Sequence, residues 1–372
     1  MLESIRGMIQ KNESRMETTA NAPAAAMSKV LVWWRRLGPP LVTAAIFYYI
    51  FQRIPLARLV AAFDAADLPR FLALMLPNSV LYFAWDTLVL ACAIRWFHGP
   101  IRYRDLLPVR AVSYVVSLAN TNLARATVAY YLKRQLGDSF LVLAGTVILL
   151  TLLEFTHLIL WAVAGMVFDF ARMRADLMKL IAGLLAFWMV FLLYVRGGAA
   201  PWRAVTGRIA QRWPVLRGPQ WYRGGRLRVR EWKLLRTFVT APLRRWVQII
   251  LLRAPMFFTS LVFHWLAVRT FGIEIPFLQM MAFLPVIFML AALPVTVMHL
   301  GTTQAAWIFF FSDYAAPAQL LAYSLASHFT FMFARGALGL LFLPRAWRDL
   351  AGPVQRLATG ATSTHDSVHQ FS

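Results

Sequence analysis

The sequence predicts an all-α polytopic membrane bundle of about six full spans plus two re-entrant helical hairpins in an inverted repeat. Three observations carry this prediction. Several apolar runs reach the ~20 residues that a helix needs to cross a bilayer, in a chain that is 60% hydrophobic. Basic residues gather between and beside those runs, the pattern of loops held on the cytoplasmic side. Two further apolar segments, 106–131 and 275–311, are interrupted by polar residues. A helix in lipid hides its backbone polar groups by bonding them internally, so irregular backbone at that depth survives only where protein or a water-filled cavity covers it.

The formal charge is +22. Its distribution between apolar runs points to anionic lipid headgroups as the partner and away from nucleic acid. Cys92 is the only cysteine, so neither an intrachain disulfide nor a cysteine metal cluster is expected. Residues 1–36 read as a cytoplasmic, mostly disordered N-terminus. Residues 1–26 lack the apolar core of a signal peptide, and Met27 offers a second plausible start.

The membrane bundle is expected over 37–345. Trp33, Trp34, Arg35 and Arg36 anchor a first span at 37–51. Residues 55–68 have apolar residues at helical spacing and read as an interfacial amphipathic helix. The second span, 71–94, carries Asp86 near its middle and ends at Arg95 and Trp96. Segment 106–131 is broken at 119–122, where Asn120 and Asn122 stand, and it ends at Lys133 and Arg134. Two short helices entering and leaving on the cytoplasmic side fit these flanks.

A span at 140–168 carries Glu154 and His157, and 177–195 returns to the cytoplasm. The loop 196–245 holds thirteen Lys/Arg against one acid, Glu231. It is the strongest topogenic signal in the chain. A span at 246–268 contains Arg253 and His264. Segment 275–311 is broken around Thr296, His299, Gly301, Thr302, Thr303 and Gln304; a single kinked span is the competing reading. The last span, 317–343, carries His328 and Arg335. Arg345 and Arg348 place the C-terminus inside, and 346–372 reads as a disordered cytoplasmic tail.

The two halves, about 71–168 and 246–343, share one order: a span, a broken apolar segment, a span. Their charge flanks open the first break to the cytoplasm and the second to the outside. Interrupted segments in matching positions of an inverted repeat are a sequence pointer to a central transport site. Ionisable groups inside lipid are costly unless paired or hydrated, and so mark function or pairing. Arg253 and Arg335 each lie about eight residues from the cytoplasmic end of their spans, at a depth of ~12 Å. They form either a bidentate phosphate site or structural ion pairs with Asp86 and Glu154. Asn120, Asn122, His299, Gly301, Thr303 and Gln304 are candidates to meet a polar headgroup, or else they cap the two turns. His157, His264 and His328 lie on three spans without metal-ligand spacing and read as packing residues. No catalytic motif, P-loop or dinucleotide fingerprint appears, and no cofactor or metal is expected.

Leu293, Pro294 and Thr296, followed by His299, Leu300, Gly301 and Gln304, resemble the Leu-Pro-x-Ser, Gly-x-Gly and Glu elements of lysylphosphatidylglycerol synthase transmembrane regions and their stand-alone flippase-like relatives. His299 stands where glycine is usual, and Gln304 where glutamate is usual. Weaker echoes are Arg95 with Trp96, Asn122 through Ala124 without the following proline, and Lys133, Arg134 and Gly137. The resemblance covers about 35–345. It implies lipid translocation or lipid-intermediate handling in an inner membrane. In two-part members aminoacyl transfer belongs to a following soluble domain; about thirty residues follow the last span here, so that activity is expected to be absent. The competing expectations are a non-catalytic partner of lipid-synthesis enzymes, docking through 196–245, and a membrane-embedded lipid-modifying enzyme using Asp86, Glu154 and His157. Hopanoids, aminoacylated phospholipids and glycolipid intermediates all stay open as the lipid.

Overall fold

The computed structural model describes residues 38–169, 175–197, 234, 236–292 and 296–351. The expectations for the N-terminal segment, for most of the basic loop and for the C-terminal tail therefore lie outside the described residues, as do Leu293 and Pro294. Every described element is helical, with no strand among the described residues.

Helix α1 (Gly38–Arg53) is bent by 83° from α2 (Leu56–Asp64). The break falls at Pro55, which disfavours helical backbone in the residue before it. Helix α3 (Leu68–Phe97) starts at Asp67, whose carboxylate accepts the Arg70 N–H at 3.1 Å. At 30 residues it is ~45 Å long. Helices α4 (Tyr103–Ala119) and α5 (Thr121–Leu136) are joined through the single residue Asn120, in extended conformation, and pack on each other. Each is ~25 Å long, shorter than the ~30 Å hydrocarbon layer.

Helices α6 (Phe140–Phe168) and α7 (Ala175–Gly197) follow. A short helix α8 (Arg236–Thr240) leads into α9 (Leu243–Ala267), which tightens into a 3₁₀ turn and stops at the left-handed Gly272. Helix α10 (Phe277–Ala291), a 3₁₀ turn at Val297–His299, and α11 (Thr302–Phe311) form the second broken segment. Helix α12 (Pro317–Ala351) ends the bundle.

Four described helices, α3, α6, α9 with its 3₁₀ extension and α12, are long and apolar enough to cross a membrane. The bent α1–α2 pair makes a fifth if it counts as one span. The sequence reading expected about six. Its two further candidates are 37–51, which corresponds to α1, and 177–195, which lies within the 23-residue α7. Leu76, Val80, Leu160, Phe258, Phe333 and Leu340 are exposed on the outer faces of the four long helices, as lipid contact requires.

The packing is reciprocal. Helix α3 lies on α9. Helix α4 packs along α12 as α10 packs along α6. Helix α5 contacts α6 as α11 contacts α12, and α12 touches α3 as α6 touches α9. Glycines allow both long pairings. A Cβ on Gly165 of α6 would stand 2.4 Å from the Ala282 backbone nitrogen of α10, and one on Gly339 of α12 would stand 2.0 Å from the Val115 side chain of α4. Two apolar cores result. One gathers Phe71, Leu261, Phe283, Trp307 and Tyr323 where α3, α9, α10, α11 and α12 meet. The other gathers Leu90, Leu106, Leu132 and Leu149 around the opposite ends of α3 and α6.

Candidate functional site

Between the two apolar cores lies a cavity of about 340 Å³, lined by α3, α4, α5 and α6 and by α9, α10, α11 and α12. Both halves of the chain enclose it. Its charged residues are Asp86 on α3, Arg110 on α4, Arg125 on α5, Glu154 on α6, Arg253 on α9 and Arg335 on α12. Four guanidinium groups face two carboxylates.

Asp86 is the hub. It is 3% exposed, so its charge needs partners. Arg110 binds one of its oxygens through Nε at 2.7 Å and also through Nη2, and the Tyr114 hydroxyl donates to the same oxygen at 2.7 Å. Arg253, also 3% exposed, lies with Nη1 3.7 Å from Asp86 Oδ1 and 3.7 Å from Glu154 Oε2. That is ion-pair distance, too long for a hydrogen bond, and Arg253 Nε and Nη1 make no hydrogen bond among the described residues. Glu154 also accepts from the Tyr82 hydroxyl at 3.4 Å. The Tyr114 ring sits between Arg110 and Arg335, whose guanidinium carbons lie 5.2 and 4.9 Å from its centroid. Cation–π attraction thus holds Arg335, carried on α12, against α4.

The structure brings together most of the sequence-predicted residues. Asp86, Glu154, Arg253, Arg335, His299 and Thr303 all line the cavity. Of the two sequence readings of the arginines, ion pairing fits Arg253, which is within reach of Asp86 and Glu154, while Arg335 rests on aromatic rings. Asn120, Gly301 and Gln304 do not line it. Asn120 is exposed and its side chain accepts the Leu123 N–H at 3.0 Å, capping α5. Gln304, fully buried, accepts the Gly301 N–H at 2.6 Å. Gly301 has φ +92°, and a Cβ there would meet Ile46 at 3.3 Å. These three shape the turns. The side chain of Asn122 lies outside the described residues.

Sequence reasoning missed Arg110, Arg125, Tyr82 and Tyr114. The signal for the two arginines was present: each stands inside an apolar stretch, which is expensive for a charge without a partner or water. It goes unused because attention in 106–131 falls on the polar break and not on the charges of its two short helices.

The second turn is strained. Met298 and His299 have φ +52° and +62°, ahead of the left-handed Gly301. Thr302 Oγ1 bonds Thr296 Oγ1 at 2.8 Å, and the Thr303 hydroxyl donates to the His299 carbonyl at 3.1 Å. At this end the cavity walls change from charged to aromatic and imidazole, with Phe257, His264, Phe288, Trp307, His328 and Phe331. Among the described residues no group of three His, Cys, Asp or Glu is arranged to hold a metal ion.

The family described as the lysylphosphatidylglycerol synthase TM region matches residues 36–339, most of the chain. No curated protein matches it. With its long apolar helices, the chain is a multi-pass membrane protein, and it belongs to the lysylphosphatidylglycerol synthase TM region family.

Proposed function

We propose that this protein is a flippase-like lipid translocator that takes an anionic headgroup into the cavity between its two halves. The observation that carries the reading is the excess of four arginines over two carboxylates in a cavity enclosed by both halves. A net positive, partly desolvated site attracts a lipid phosphate. Arg253, 3.7 Å from two carboxylates, keeps Nε and Nη1 donors unused that a phosphate can accept from.

The reading includes an inverted repeat, in which α3 to α6 correspond to α9 to α12. The reciprocal packing and the paired glycines Gly165 and Gly339 support it. In this scheme α4–α5 and α10–α11 are re-entrant hairpins from opposite faces, and rocking of the halves around them exposes the cavity to each leaflet in turn. Asn120 and Gln304 act by shaping the tips of the hairpins. The setting is a cell (inner) membrane with both termini in the cytoplasm, and the protein itself performs no chemistry on the lipid.

The test is reconstitution into liposomes carrying a headgroup-labelled anionic phospholipid. Wild type is expected to expose inner-leaflet label to an external quencher with the lipid's mass unchanged, and Arg253→Gln to slow this about tenfold or more, the scale of one lost charge-assisted contact. Altered lipid mass would favour an enzyme, and neither movement nor alteration would favour a non-catalytic partner of lipid-synthesis enzymes.

A further inference from the structure

The two carboxylates of the charged cluster are held very differently. Asp86 is buried, and its Oδ2 takes two bonds from Arg110 and one from the Tyr114 hydroxyl. Glu154 has only distant partners among the described residues. The Tyr82 hydroxyl stands 3.4 Å from its Oε1 and Arg253 Nη1 3.7 Å from its Oε2, both beyond the ordinary length of such bonds. Its side chain is 34% exposed and lines the cavity, so a proton can reach it through cavity water. A phosphate on Arg253 acts on both acids. Nη1 lies 3.7 Å from each, so an oxygen accepting from it at charge-assisted length stands within ~7 Å of both carboxylates. Anions this close oppose one another, and protonation of one relieves the repulsion. The surroundings make Glu154 that one. Asp86, Arg110 and Tyr114 are engaged with one another, Arg335 rests on Tyr114, and Arg125 of α5 adds a further positive charge to the cavity wall. His157, one turn along α6, accepts the Trp161 indole N–H at its Nε2, 2.9 Å away, so that nitrogen carries no proton. Helix α10 brings no titratable side chain to α6. Helix α7 meets α6 here through the Trp188 indole, which donates to Thr156 Oγ1 at 2.8 Å, and α8 packs about two turns away at Thr146.

We propose that Glu154 is a proton site and that an anionic lipid and a proton cross the membrane together. The carboxylate takes a proton from cavity water when the phosphate engages Arg253, and returns it to water on the side where the lipid leaves. This rests on the translocator reading above and adds its co-substrate. Asp86 stays ionised throughout, because Arg110 and Tyr114 hold it whether or not Arg253 is engaged. For a lipid with one phosphodiester charge the proton balances the charge carried. A pH gradient therefore drives the movement, and a membrane potential alone does not.

The test uses the full chain and has two arms. In detergent, a short-chain phosphodiester lipid, whose own charge is constant near neutral pH, is titrated calorimetrically in buffers of different ionisation heat, which counts the protons exchanged. Wild type should take up about one proton per lipid and bind up to about tenfold tighter for each unit fall in pH. Glu154→Gln, which copies the shape of the protonated acid, should take up none and keep an affinity constant within about twofold over the same range. In sealed liposomes, a lumen about one pH unit more acidic than the outside should speed outward movement of inner-leaflet label by wild type up to about tenfold, and should not change the rate of Glu154→Gln. Glu154→Ala serves if Glu154→Gln does not fold. Lipid that binds and moves with either effect missing in wild type, or with an effect that persists in the Glu154 variant, overturns the proton site and leaves the translocator reading standing. Failure of wild type to bind or move the lipid at any pH overturns both.

Discussion

The two broken segments occupy matching places in the packing, yet they are built differently and bring different chemistry. The first breaks at one residue, Asn120, in unstrained extended backbone, with a side-chain cap to Leu123. Its arms deliver Arg110 and Arg125 to the cavity. The second lies between Ala291 and Thr302, includes two left-handed non-glycine residues, and is braced by Gln304, Thr296, Thr302 and Thr303. Its arms deliver Trp307, Phe288 and His299 and no charge. The same packing scaffold thus carries a charged wall in one half and an aromatic, imidazole wall in the other. The difference teaches that the pairing of helices and the chemistry of the cavity are set by separate residues: glycines at the helix contacts, and arginines or rings on the cavity faces.

That separation can be broken experimentally, and the largest effect is expected at the charged hub. Asp86→Ala leaves Arg110 and Arg253 without their shared buried counter-charge and should cost about 3–5 kcal/mol. It should appear as loss of monodisperse protein or a large fall in Tm. Glu154→Ala should cost far less, because that side chain is 34% exposed and water replaces it. Equal losses would mean that Asp86 is not the hub.

Next come the glycines. Gly165→Ala drives a Cβ into the α10 backbone and should cost about 3 kcal/mol. Gly339→Ala meets a Val115 methyl and, at 3.2 Å, the Ala111 carbonyl oxygen; the valine must leave its preferred helical rotamer, which should cost about 2 kcal/mol. Thermal denaturation of the two variants side by side reads the difference. A reversed order would show that the two helix contacts are not built as described.

The smallest pair concerns the turns. Gln304→Ala strips the buried Gly301 N–H of its acceptor and should cost about 2 kcal/mol. Asn120→Ala removes an exposed cap and should cost about 1 kcal/mol. Chemical denaturation in a mild detergent would resolve them, and parity between the two would remove the distinction between a braced and a simple turn.

Much of this was legible in the sequence. Apolar run length located α3, α6, α9 and α12, and intramembrane charge picked out Asp86, Glu154, Arg253 and Arg335. What stayed hidden had physical causes. The separation of the 37–51 span from the helix at 55–68 is legible, but the 83° angle between them is not. Arg110 and Arg125 were overlooked because a broken segment was assumed to contribute only its break. The aromatic neighbours of His264 come from α10, α11 and α12, far away in sequence, so its packing partners cannot be named from the sequence. Gly301 and Gln304 stay open in the sequence between headgroup contact and turn capping, because a polar residue near a break looks the same whether it binds a ligand or holds a turn.

The opposed placement of the two turns is tested most directly by cysteine labelling from either side of sealed vesicles. With Cys92 replaced by serine, single cysteines at Thr121 and Thr303 are probed with a membrane-impermeant thiol reagent. The account predicts that Thr121→Cys reacts from the cytoplasmic side and Thr303→Cys from the opposite side. Labelling of both from the same side would contradict it.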